Sequence, residues 1–334
     1  MSEPAITLTP AQAPAPASSS FIRGRAWLRS VIGLGAWLLC YFALEPDWGT
    51  ALLWLGALVH VPLALGLILT RSRTDLAPRA HALLNFAAWA QLPAALLLVA
   101  GFSLESNGIL LALPWVLITG LCGVAGALRI VKLGLRRPEA LADWGLLWFS
   151  VSGAWTAASA MRWEAFGFAH IFVLLAAVHQ LYAGLVLQVV ASRIVMLIPK
   201  RLVWLVAICV ALGNPLVALG ITTSHIGLPV WIEFACAIFY ASSVIVLGWV
   251  QIYLAFSRRS KLPLATRVLL VLSDLSLGTA MTLAIIFAWG VKRGYPTMTI
   301  SEMLQWHAPL NVFGFGLCAL IGWMLADTHL NAKR

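Results

Sequence analysis

The sequence predicts an all-α, polytopic transmembrane helix bundle of about ten spans, and three observations carry that prediction. The 334-residue chain is 61% hydrophobic and only 10% charged, whereas soluble domains average about 25% charged residues. Apolar stretches recur along it at about 20 residues, the length that a hydrocarbon core about 30 Å thick demands. Nearly all of its Lys and Arg residues fall in alternate connections between those stretches. Unpaired backbone groups are excluded from lipid, so the stretches must be helices.

Taken in order, the expected spans are residues 26–44, 50–70, 82–102, 107–128, 143–160, 165–188, 202–222, 228–255, 266–290 and 305–325. Residues 1–25 open with a stretch rich in Ala, Pro and Ser and read as a disordered cytoplasmic tail. Residues 26–325 then form a single transmembrane domain, and 326–334 a short cytoplasmic tail. No basic segment precedes an early apolar run, so no cleaved signal peptide is expected.

Of the cations, only Arg162, Lys292 and Arg293 lie on one side of this arrangement; all the others lie on the opposite side. The positive-inside rule places that basic side in the cytoplasm, with both termini, in a bacterial-type inner membrane. The net charge of +10 is thereby explained by topology, and nucleic acid is excluded as a partner. The lipid bilayer is the expected partner, with a small solute or other membrane subunits as further ones. Trp48, Trp163, Trp231, Trp289 and Trp306 cluster at the predicted outer boundary, as an aromatic belt does. The five cysteines stand singly within spans and read as packing residues.

Ionisable groups inside a membrane are costly, so each is a functional candidate, with an interhelical hydrogen bond as the competing reading. No Lys or Arg is placed deep in a span. His60 lies near the middle of the second span, His179 near the middle of the sixth, and His307 just inside the tenth. All three spans run from outside to inside. His60-Val61-Pro62-Leu63 and His307-Ala308-Pro309-Leu310 share a pattern, each followed by a glycine, Gly66 and Gly314. A histidine on every fourth helix hints at a repeated four-helix unit arranged about a central axis.

In the tenth span His307, Asn311, Gly314, Cys318 and Gly322 fall on one stripe at 100° per residue. The small residues of that stripe let a neighbouring helix approach closely. Asn311 reads either as an orienter of His307 or as an interhelical clamp. On the sixth span His179 and Tyr182 can share a pocket, whereas His170 is on the opposite face and reads as a packing or interface residue. Glu233 and Asp274 are the acids within spans, and a proton or cation path would use them. The bland alternative for both is a hydrogen-bonded neutral acid. No hydrolase, ATPase or dehydrogenase motif is present.

Several segments resemble a known family. Met298-Thr299-Ile300-Ser301-Glu302-Met303, continuing to Trp306-His307-Ala308-Pro309-Leu310-Asn311-Val312-Phe313-Gly314-Phe315, is similar to the C-terminal signature of YndJ-like membrane proteins. His179-Gln180-Leu181-Tyr182-Ala183-Gly184 and Asn214-Pro215-Leu216-Val217-Ala218-Leu219-Gly220-Ile221 resemble further segments of that family. The resemblance covers roughly residues 165–325. It departs at Leu181, where the family stretch carries a second histidine, so a metal-binding pair there would lack one ligand. The family is generally assigned to transporters, a label resting on topology.

Two functional readings follow. In the first, His60, His179 and His307, supported by Tyr182 and Asn311, hold haem or a transition metal, with His179 and His307 as the metal ligands. Neutral imidazole is the commonest metal ligand. The placement on the second, sixth and tenth spans resembles the ligand-bearing helices of haem–copper oxidases and of NnrS proteins, an analogy of position alone. In the second reading the chain is a secondary transporter or proton-coupled carrier in which Glu233, Asp274 and His179 titrate.

Overall fold

The computed structural model describes residues 16–71, 76–104, 108–257, 260–295 and 297–332. Among the described residues every regular element is helical. The expected tail residues 1–15, and Arg73, Arg258, Arg259, Lys333 and Arg334 of the basic side, lie outside them. Ten long helices follow one another. They are Pro16–Leu44, Trp48–Leu69, Pro78–Ser103, Gly108–Leu133, Glu139–Ala160, His170–Leu197, Arg201–His225, Trp231–Phe256, Leu264–Arg293 and Ile300–His329, the last continuing to Ala332. Among the described residues nine of these are long and apolar enough to cross a membrane.

The fifth helix, Glu139–Ala160, is the one outside that set, because Asp143 and several hydroxyl residues dilute its apolar character. Its 22 residues nevertheless reach about 33 Å at 1.5 Å per residue, enough to span. The polar groups that lower its hydropathy are paired within the bundle. Asp143 is fully buried between Arg129 at 2.8 Å and Arg137. The Ser152 hydroxyl donates to the Ala177 carbonyl of the sixth span at 2.7 Å.

At the first helix the structure moves a boundary. Within the described residues the helix already runs from Pro16 rather than from near residue 26. Ser19, Arg23, Ala26 and Ser30 are all buried, so one face of this early stretch packs at helical spacing. Ser19 and Arg23 extend that face into the stretch read as tail from its composition.

The second span occupies the centre. Every residue of its apolar window is buried, against a third of the windows of the seventh, eighth and ninth spans. It packs against the first, third, sixth and tenth helices. Gly33 of the first helix lies against the Leu58 carbonyl so closely that a Cβ there would collide with it. Gly66 likewise admits Ala26. Of the tryptophans expected at the outer boundary, Trp163, Trp231, Trp289 and Trp306 are exposed. Trp48 departs from them, its indole N–H donating to the Leu304 carbonyl at 3.0 Å.

At the basic end, the second, sixth and tenth spans are tied together by one buried carboxylate. Asp327 of the tenth takes Arg193 of the sixth at 3.1 Å, Arg71 just past the second at 3.0 Å, and the Thr70 hydroxyl at 3.2 Å. Arg193 also donates to the Leu67 carbonyl at 2.5 Å. Arg129 and Arg193, read from sequence as cations of the inner connections, are thus buried at helix ends and paired. Removing one partner of such a group strands the other charge. Asp327→Asn is therefore expected to cost about 3–5 kcal/mol, measured as a fall in thermal stability in detergent, with Asp327→Glu losing less.

Candidate functional site

Among the described residues four stretches of the helices are π-helical: Gly56–His60, Gln180–Val186, Met303–His307 and Leu310–Leu317. Such turns are rare and concentrate at functional sites. All four lie on the second, sixth and tenth spans, the three that carry the central histidines. The stretches at 56–60, 180–186 and 310–317 contact one another in the middle of the bundle.

The local cause is legible at two of them. Pro62 and Pro309 lack an N–H and crowd the carbonyl four residues back, so a regular turn is lost just before each. In both cases the residue after the histidine closes a wider turn to the residue five back, Val61 to Gly56 and Ala308 to Met303. The shared His-x-Pro-Leu pattern therefore encodes one shared distortion. Its following glycines also share a role. Gly66 admits Ala26 of the first helix and Gly314 admits Ser276 of the ninth, so each opens its span to the preceding helix.

Side chains of the surrounding helices donate to main-chain carbonyls at and before the wide turn of the second span, and Leu52 among these also keeps its helical partner, the Gly56 N–H. Along the second span Ala51 accepts from Trp37 at 2.8 Å, Leu52 from Tyr182 at 3.0 Å, Ala57 from Gln91 at 2.5 Å and Val59 from Ser30 at 2.8 Å. His60 belongs to this group. Its Nε2 is 3.0 Å from the Val312 carbonyl and its Nδ1 3.4 Å from that of Leu55. The shorter contact assigns the proton to Nε2, and neither nitrogen offers a free lone pair outward. Gly316 lies against the ring, and Tyr182 meets it edge-on at 5.0 Å between centroids. Tyr182 is committed in the same way, through its hydroxyl to Leu52.

His179 and His307 differ. His307 has Nδ1 2.8 Å from the Ala280 carbonyl of the ninth span. That contact requires the proton on Nδ1 and leaves the Nε2 lone pair available. His179 makes no hydrogen bond among the described residues, and its Nε2 is buried without a partner. The two imidazoles lie within electrostatic reach of each other. Both rings, and Asn311, are half-buried despite their place in the bundle. Asn311 is neither an orienter of the His307 ring nor an interhelical clamp: its amide caps the His307 carbonyl at 2.9 Å, one turn back on the same helix. Among the described residues no group of three or more His, Cys, Asp and Glu comes together as a metal site.

The two acids separate. Glu233 lies half-buried in the first turn of the eighth span. Asp274 of the ninth is buried beside Gly248 and Gln251, further along that eighth span. The fifteen positions from Glu233 to Gly248 correspond to about 22 Å of helix, so the acids share no site. His170 is exposed at the start of its helix, a surface position rather than a packed one.

A family profile described as YndJ-like protein matches residues 51–315. The chain belongs to the YndJ-like family. A relative in Bacillus subtilis (strain 168), the "Uncharacterized membrane protein YndJ", is 28% identical over 219 residues. That match takes in 65% of this chain but 38% of the relative, so the chain corresponds to well under half of that protein's length. No solved structure matches. The family match begins in the second span, well before the segments whose resemblance was legible by eye.

Sequence reasoning missed the amides. Gln91 and Gln251 are fully buried hydrogen-bonding groups, and Asn214 donates to Gln180 at 2.7 Å, joining the seventh span to the π turn of the sixth. Gln188, two and a half turns beyond His179, is fully buried with both side-chain polar atoms lacking a protein partner. Apolar flanks concealed them, since one amide barely shifts a 20-residue hydropathy window.

The contrast between the histidines has a stability signature. His60→Leu removes a donor from buried carbonyls and is expected to cost about 1–3 kcal/mol. In protein freed of any bound haem or metal, His179→Leu removes an orphaned nitrogen and is expected to be near neutral. Thermal unfolding of both variants in one detergent checks this, and equal losses would refute the division of roles.

Proposed function

We propose that the imidazoles of His179 and His307 bind a transition-metal centre within the membrane, with haem iron as the best fit. The observation that carries this reading is the pair of uncommitted Nε2 atoms on two adjacent, π-distorted spans. The donor set favours haem over a closed structural metal site. Structural zinc sites take four protein ligands, whereas a haem iron takes its remaining ligands from the porphyrin. The Ala280 contact to His307 is the kind of backbone hydrogen bond that orients ligating histidines. Electron transfer or sensing would follow from such a centre. The asymmetry of Lys and Arg supports a cytoplasmic-membrane location with both ends inside, which a C-terminal reporter fusion reads directly.

An optical spectrum of the protein purified in mild detergent, oxidised and then reduced, with elemental analysis, tests the proposal. A Soret band or stoichiometric metal is expected, lost in His179→Ala and in His307→Ala. Colourless, metal-free protein from cells well supplied with haem and metals would refute it.

One observation favours the carrier reading as a second function. A cavity of about 390 Å³ adjoins Asp274, and an intramembrane acid beside a cavity is a usual element of proton-coupled transport. Proton flux in liposomes, abolished by Asp274→Asn, is the expected result; flux unchanged by that substitution removes Asp274 from any such role.

A further inference from the structure

The groove beside Asp274 has a chemistry of its own. It lies between the eighth and ninth spans, near the middle of the ninth, and Trp249 and Leu275 at its margin are 63% and 55% exposed. Large apolar side chains exposed at that depth of a spanning helix face lipid, so the groove opens sideways into the bilayer. Its volume of about 390 Å³ is within the range of small-molecule sites. Glycine creates much of the space, since Gly278 has nothing within 4 Å of where a Cβ would stand.

At its floor Asp274 is 5% exposed. The Gln251 amide nitrogen lies 3.1 and 3.0 Å from its two oxygens. The orientation of that amide is settled by Trp323, whose indole N–H, a donor only, gives to the Gln251 oxygen at 3.0 Å. None of the ion pairs among the described residues involves Asp274. A carboxylate in lipid facing a single neutral donor is under-compensated and calls for a proton or a cation.

The remaining polar lining is selective in kind. Thr279 and Thr282 each donate their hydroxyl back to their own helix, to Leu275 and Gly278, at 2.9 Å. Both hydroxyls therefore have only acceptor capacity left for the groove. With the carboxyl they make a wall of acceptors, flanked by Val244, Ile245 and Leu277. The complementary ligand carries hydrogen-bond donors and a positive charge on an apolar body.

We propose that this groove is a lipid-accessible binding site for a lipophilic amine. The amine enters from the bilayer uncharged, its nitrogen lone pair takes the Asp274 carboxyl proton, and the resulting ammonium stays paired with the carboxylate. No net charge crosses the hydrocarbon. A phospholipid headgroup is excluded as occupant, because Asp274 stands seven residues, about 10 Å of helix, inside the boundary cation Arg267. The proposal is independent of the imidazole pair and of any metal there.

Wild-type protein in phosphatidylcholine vesicles suffices for the test. Dicyclohexylcarbodiimide partitions into lipid and adds a buried carboxyl across its C=N bond, the proton going to nitrogen and the oxygen to the central carbon. An acyl shift to nitrogen then leaves a stable acylurea that mass spectrometry locates. Modification at Asp274 is expected, absent in Asp274→Asn, and slowed at least about tenfold by octylamine but not by octanol at equal membrane content, the ion pair being the difference. No modification of Asp274, or equal protection by amine and alcohol, overturns the proposal. Neither outcome bears on the colour or metal content of the protein.

Discussion

The second span is buried along its whole apolar window in a molecule whose solvent is lipid. A helix in that position has no water to accept from any carbonyl its own turns leave open, and each unmade bond costs several kcal/mol. Pro62 and the wide turn at Gly56–His60 open such carbonyls deliberately. The surrounding helices are consequently chosen for what they can donate: an indole from the first, an amide from the third, a phenol from the sixth. Gln91 and Ser30 reach carbonyls within the wide turn itself, while Trp37 and Tyr182 donate to Ala51 and Leu52 just before it. Gly33 belongs with them, because the Leu58 carbonyl presses on its Cα.

Much of this architecture was legible in the sequence. Span number and order came from hydropathy, and the link between the second, sixth and tenth spans came from a histidine on every fourth helix. The repeated His-x-Pro-Leu pattern turned out to mark a repeated backbone distortion, with Gly66 and Gly314 both opening their helix to the one before it. Proline chemistry is local, so it can be read locally. The π turn after His179 has no proline to announce it, and nothing in Gln180–Val186 distinguishes it from ordinary apolar helix.

What sequence could not supply depends on contacts between distant residues. Asp327, Arg193 and Arg71 are each ordinary residues near a helix end, and only the fold makes them one clamp. The same holds for Asp143 with Arg129 and Arg137, whose pairing lets the fifth helix carry a carboxylate at membrane-like length. The extension of the first helix before residue 26 was hidden because its buried face there is built of Ser19 and Arg23, polar residues in a stretch whose composition reads as tail. The roles of the histidines were hidden for a related reason. An imidazole that donates to a main-chain oxygen of another helix and one that makes no hydrogen bond are the same letter.

That distinction bears on function more than depth or residue type does. His60 stood first among the ligand candidates by position, yet its nitrogens both face main-chain oxygens, and its role is to hold the second span to the tenth. Gln91, Ser30 and Tyr182 are spent in the same way. His179 has no such employment, Gln188 further down the same span has none, and Asp274 has one neutral donor where a charge would need more. In water these vacancies would mean little, because solvent fills them. In a bilayer they either cost stability or await a partner, and the two halves of the bundle place them differently. The imidazoles lie where π-distorted spans meet, while Asp274 lies at a groove open to lipid. The chemistry of each is read from its own surroundings: lone pairs at the histidines, acceptors and negative charge at Asp274.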